Sequence, residues 1–123
     1  MNELFGETRK IFLYPGTTDM RLGIFGLIRK VTSPEKDCAY VFCSKSRVTA
    51  KILIYGGNHV WLLQKRLFRG RFPWPQDGNV TEVSDEMLRF LMVGIDKVND
   101  IELKGEDRKY SLFYNQEKAL KYR

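Results

Sequence analysis

Seven cationic side chains fall between Cys38 and Gln76 with no Asp or Glu among them: Lys45, Arg47, Lys51, Lys65, Arg66, Arg69 and Arg71. Four of the seven crowd into KRLFRGRFPWP, Lys65 to Pro75, where they alternate with Phe68, Phe72 and Trp74. Arg and Lys neutralise phosphates, and the counterions so released make binding fall with salt. Exposed rings add stacking on unpaired bases, about 1 to 3 kcal/mol each. Parity separates the two chemistries. The three rings have even numbers and Arg69 and Arg71 odd ones, so in an extended chain rings line one face and cations the other. Such a segment packs its rings and offers its cations, which favours backbone electrostatics over base stacking.

Catalysis finds less material. The chain has one histidine, His59, just after the Gly56-Gly57-Asn58 turn and with no acid nearby in sequence. A turn-flanking polar role suits it better than a Ser- or Cys-His pair, which needs a third, orienting group. The carboxylates collect after Asp77 without a D-x-D or H-x-E pattern, and Asp19 and Asp96 stand alone. No Walker lysine follows GGN. The expectation is a protein that is not an enzyme and carries no cofactor or metal. Cys38 and Cys43, five apart with one histidine elsewhere, are too few for structural zinc, and two buried thiols on a strand suit them better than a disulfide.

The elements that must position the cations follow from periodicity. RKIFLY (9–14) is a β-prone run ending at Pro15-Gly16. TTDMRLGIFGLIRKV (17–31) offers Thr17 and Thr18 as N-caps, Asp19 in the first turn and an apolar stripe of Met20, Ile24, Leu27, Ile28 and Val31, which predicts one long helix. Gly23 and Gly26 within it imply close approach by another element. CAYVFC (38–43), VTAKILIY (48–55) and HVWLLQKRL (59–67), joined by SKSR and GGN, read as three successive strands of an antiparallel meander. Gly70, Pro73 and Pro75 make the basic run an edge strand or extended loop. NVTEV (79–83) offers a further short strand. SDEMLRFLMVGI (84–95) reads as a second helix, with Ser84 as N-cap and Gly94 as stop.

Length and composition bound the rest. The 123 residues, 43% hydrophobic and 13% aromatic, suit a single folded domain. No apolar run approaches a membrane span, and MNELFGETRK lacks the pattern of a signal peptide, so a cytoplasmic protein with no membrane partner is expected. The net charge of +6 is unevenly spread: +7 from Cys38 to Gln76, then nine acids against three cations from Asp77 to Asp107. Such a chain either attracts a polyanion or folds its acidic segment against its basic one.

IFLYPGTTDMRLGIFGL, AKILIY, KRLFRGRFPWP and VGID, in this order from about Ile11 to Asp96, resemble the TnpB, or second-open-reading-frame, accessory protein of the IS66 class of bacterial insertion sequences. The resemblance implies an element-encoded protein that acts in transposition beside a separate transposase, with DNA or transposase contact as its role. Leu22, Phe25 and Phe68 stand where that family usually has polar residues. Leu22 and Phe25, three apart, form a candidate apolar spot for a protein contact.

These readings define an α+β domain over residues 1–96 with a sheet of about four to six strands, and an appended segment over 97–123. Its function is accessory and non-enzymatic, through a DNA-binding ridge of Lys45, Arg47, Lys51, Lys65, Arg66, Arg69 and Arg71. Leu22, Phe25 and Phe68 are the protein-contact candidates, with the transposase or a second copy as partner. The alternative is an interaction module that holds the transposase with little DNA binding.

Overall fold

The computed structural model describes residues 8–95. The expected appended segment 97–123 lies outside them. Five strands and two helices build an α+β fold: β1 (Lys10–Leu13), α1 (Ile24–Lys30), β2 (Cys38–Cys43), β3 (Thr49–Tyr55), β4 (Val60–Arg66), β5 (Thr81–Val83) and α2 (Asp85–Val93). They form one sheet in the order β4-β3-β2-β1-β5.

β2, β3 and β4 pair antiparallel through short turns, which is the expected meander. β1 departs from it, lying parallel to β2 with Lys10 opposite Cys38. A parallel neighbour requires a crossover, and the 14–37 connection supplies one that carries α1. β5 closes the far edge, antiparallel to β1.

Strand alternation sorts the side chains into two cores. On one face Ile11, Leu13, Ala39, Val41, Cys43, Ala50, Ile52 and Ile54 pack with Leu88, Leu91 and Met92 of α2 and with Phe72 and Trp74. On the other, Cys38, Tyr40, Phe42 and Leu53 pack beneath Leu27 and Val31. Both faces are therefore covered, and every residue of β2 is buried. Complete burial of Leu27 contributes roughly 1.5 to 3 kcal/mol. Cys38 and Cys43 are free buried thiols in opposite cores, which the five-residue separation along a strand dictates. Burial pushes the Cys43 thiol up to about 11.

The long first helix is not present: α1 has only seven residues. The missing turns are used otherwise. The Thr18 N–H is committed to the Cys43 carbonyl at 2.9 Å. Asp19 accepts from the backbone N–H of Arg21 in a local turn, and its carboxylate takes the Arg21 guanidinium at 2.8 Å. The carbonyls of Met20 and Leu22 both accept from Lys51 Nζ at 2.9 Å. With those groups engaged, regular bonding begins only at Leu27 N–H to Gly23 O. Gly23 faces open space, and the close neighbour of Gly26 is Leu22, whose Cδ2 lies 2.7 Å from where a Cβ would be. The expected approach of another element to both glycines is thus corrected.

The Asp19–Arg21 pair makes a measurable statement. The Arg21 side-chain hydrogen bonds, its backbone N–H and its charge hold the Asp19 carboxyl below its ordinary 3.8, at about 2. A depressed carboxylate stabilises the fold above its unfolded value and ceases to do so as pH falls through its folded one, so this contribution is present above about pH 4 and lost toward pH 2. Carboxyl NMR of Asp19 should titrate near 2 in the native protein and near the ordinary value in Arg21→Ala. A native midpoint close to 4 would remove this turn lock.

α2 follows expectation closely. Ser84 Oγ accepts from Met87 N–H at 3.0 Å, Asp85 and Glu86 fill the first turn, and Asp85 pairs with Arg89 one turn later. Gly94 ends the helix at φ 87°, ψ 149°.

Candidate nucleic-acid interface

The basic run is an extended loop pinned at several points. Leu67 N–H donates to Val48 O at 2.8 Å and Phe72 N–H to Arg47 O at 2.7 Å. Phe68 to Arg71 therefore project as a short excursion from two adjacent anchor points on the β2–β3 connection. Arg71 exchanges two backbone hydrogen bonds with Ile95, just past α2. Downstream, Phe72 and Trp74 enter the core edge to face, and Trp74 Nε1 donates to Tyr14 O at 2.9 Å. Gly16 N–H closes the clamp on Pro75 O. The motifs RKIFLYPG, KRLFRGRFPWP and VGI are thereby one hydrogen-bonded unit.

Gly94 supports that unit from below. Its backbone lies in a region nearly restricted to glycine, and a Cβ there would stand 2.7 Å from Leu67 Cδ1. Gly94→Ala should cost about 1 to 3 kcal/mol and loosen the anchor of the basic loop. A denaturant midpoint equal to wild type would refute this.

The seven cations do not form one ridge. Lys45, Arg47 and Arg71 come together: with Thr17, Thr18, Asp19, Met20, Ser44 and Ser46 they line one open basin at the end of the sheet. Lys45 is exposed at the β2–β3 turn, and Arg47 is held half-buried at φ 64°, its carbonyl fixed by Phe72. The Ser44 and Ser46 hydroxyls lie 3.3 Å apart, and Ser44 Oγ also accepts from Thr49 N–H. Arg66 is exposed on the flank, 3.4 Å from Thr49 Oγ1, and Arg69 is exposed in the excursion.

Two of the seven are elsewhere. Lys51 was expected at the surface and is buried, 7% exposed, on the α1 face beneath Met20 and Leu22. Period-two alternation requires this, since Lys51 shares a face with Leu53. Lys65 stands on the α2 face and donates to Met92 O at 2.8 Å, near the negative end of that helix. Its pKa is lowered by desolvation.

Of the rings, Phe72 and Trp74 pack, but Phe68 is 84% exposed. The Leu22–Phe25 spot is halved: Leu22 packs against the α1-side core, and Phe25 is 76% exposed. The basin's hydroxyls were overlooked in sequence, where SKSR read only as a linker. Two serines alternating with two cations in a tight turn were the available signal.

Among the described residues, opposite charge does not mask the basin. Among the described residues, the ion pairs are Arg9–Glu35, Arg21–Asp19 and Arg89–Asp85. Among the described residues the one carboxylate lining the basin, Asp19, is already held by Arg21. What remains is a concave surface of three cations and several hydroxyls, suited to the oxygens of a phosphodiester. No group of three His, Cys, Asp or Glu able to hold a metal occurs among the described residues. His59 bonds its turn neighbour, with Nδ1 2.7 Å from Asn58 Oδ1. Among the same residues no helix is long and apolar enough to cross a membrane.

Comparison with known proteins gives the following. A family model described as IS66 Orf2 like protein matches residues 9–100. An uncharacterized protein of Sinorhizobium fredii, y4hO, is 33% identical over 97 residues, covering 74% of this chain and 84% of that protein. No solved structure matches.

Proposed function

This chain belongs to the family of IS66 Orf2-like proteins, and on that premise we propose that it is a non-enzymatic accessory factor for transposition that grips the DNA backbone at the cationic basin. Family membership implies the accessory role; the mode of action is our reading. The observation that carries it is the convergence of Lys45, Arg47 and Arg71, 26 positions apart at the extremes, on one open hydroxyl-lined surface. Arg66 and Arg69 extend the positive surface beside it. Phosphate contacts of this kind hold DNA of any sequence.

The test is a fluorescence-anisotropy titration with labelled duplex at several salt concentrations. Three basin contacts predict that log affinity falls against log salt with a slope of about −2.7, and scrambled sequence changes it little. Absent or salt-independent binding overturns the reading. One feature favours the alternative, a module that holds the transposase: Met87, Phe90 and Val93 form an exposed apolar stripe on α2, 46%, 57% and 71% exposed. Capture of the transposase that persists after nuclease treatment, by protein that binds no DNA, would establish that reading instead.

A further inference from the structure

We propose that β4, the outer strand beside β3, pairs antiparallel with β4 of a second copy of this chain about a two-fold axis at Leu63. The pairing uses none of the residues lining the basin, so it stands apart from DNA binding. β4 is seven residues long and lies at the end of the strand order. Its register on β3 runs unbroken from Arg66 to Val60, with no bulge, proline or glycine to blunt the edge. The ladder identifies the groups that this edge offers. Leu67 N–H donates to Val48 O and Gly56 N–H to His59 O, so the odd-numbered residues of β4 are those that bond inward to β3. Val60, Leu62, Gln64 and Arg66 therefore turn their N–H and C=O groups outward, and among the described residues no further strand takes them. Such a row is a template for an added strand.

The side chains select a second copy and set its direction. Lys65 and Arg66 lie together at one end of β4. Laid parallel and in register, two copies would set each cation against itself, and like charges directly opposite repel. Antiparallel about Leu63, Val60 faces Arg66, Trp61 faces Lys65, Leu62 faces Gln64 and Leu63 faces its own counterpart. No cation then opposes a cation. The outward groups pair Val60 with Arg66 and Leu62 with Gln64, which leaves Trp61–Lys65 and Leu63–Leu63 as the non-hydrogen-bonded pairs, where side chains approach closest. Trp61, 52% exposed, gains a partner by this. Its indole meets the methylene stem of the second copy's Lys65, whose ammonium the fold has already placed on the Met92 carbonyl. A two-fold pairing consumes both β4 edges, so assembly stops at two.

Sedimentation equilibrium of the full chain over a concentration series should show monomer and dimer in exchange. Trp61→Lys sets like charges opposite each other at two symmetric places and should raise the dimer dissociation constant roughly 2- to 30-fold, whereas Trp61→Glu, facing Lys65, should stay within about threefold of wild type. Gln64→Pro removes an outward N–H that the monomer does not use and should raise the constant roughly 5- to 150-fold. Leu63→Cys should cross-link two chains under mild oxidation, since Cys38 and Cys43 are buried and do not compete. The Trp61 variants and the cross-link decide the matter even where Gln64→Pro does not fold. Wild-type protein that is monomeric at every concentration overturns the proposal. So does a dimer that both Trp61 variants weaken alike, or one that a folded Gln64→Pro leaves intact. Cross-linking of Met87→Cys in place of Leu63→Cys overturns it by moving the contact to the α2 stripe. A monomer that captures the transposase through a Gln64-dependent contact overturns it too, giving the edge to a strand of that protein.

Discussion

Lys51→Met lowers stability by about 2 to 4 kcal/mol and the melting temperature by roughly 10 to 20 °C, the largest loss expected from any single cation among the described residues. Methionine keeps the unbranched stem and its packing but removes the ammonium. The Met20 and Leu22 carbonyls, each 2.9 Å from Nζ, then lose their donor beneath the segment that leads into α1. In a longer helix these carbonyls would accept from the Ile24 and Gly26 N–H groups, but the Thr18–Cys43 and Asp19–Arg21 bonds hold the segment before α1 in a non-helical course. The same cation also lies close enough to Asp19 to help keep its carboxyl low. Thermal unfolding checks the magnitude. Duplex affinity of the folded variant, measured below its melting range, should be near wild type with the same salt slope. A variant as stable as wild type, or one whose salt slope drops, would return Lys51 to the binding surface.

What could be read in advance divides along a physical line. β2, β3 and β4 were legible because alternation and turn chemistry are local, and so were Ser84 as N-cap and Gly94 as stop. The parallel seating of β1 on β2 was not, since nothing within RKIFLY states which strand it will join or in which direction. The overlong first helix failed for an instructive reason. Met20, Ile24, Leu27 and Ile28 do have helical spacing, but a lysine 31 positions away from Met20 claims its carbonyl. Local propensity cannot register a donor that arrives through tertiary contact. Among the cations, charge was visible and destination was not. Lys51 is buried beneath the segment leading into α1 and Lys65, exposed on the α2 face, ends on the Met92 carbonyl, whereas Lys45, Arg47 and Arg71 occupy turn and loop. The parity argument for the rings held for Phe72 and Trp74 and lapsed at Phe68, because the chain leaves extended geometry in the excursion around Gly70, at φ 78°.

That division predicts which cations govern DNA affinity. Arg47→Gln combined with Arg71→Gln should reduce the slope of log affinity against log salt by about 1.8, two phosphate contacts at 0.9 each. Between 50 and 200 mM salt this shrinks the fall in affinity by about tenfold, for any duplex sequence. Glutamine keeps a polar, hydrogen-bonding side chain at both positions, shorter than arginine and without its charge. The structural bonds at these positions run through the backbone, from Phe72 N–H to Arg47 O and between Arg71 and Ile95, so the loop should stay seated. Lys65→Gln is the matched control. It removes one positive charge from the same stretch of sequence, but that charge rests on the Met92 carbonyl at the end of α2. Its loss should appear in the unfolding midpoint and leave the slope within error of wild type. If instead all three positions lower the slope alike, net charge and not the basin drives binding, since the basin reading requires affinity to follow where a cation sits in the fold.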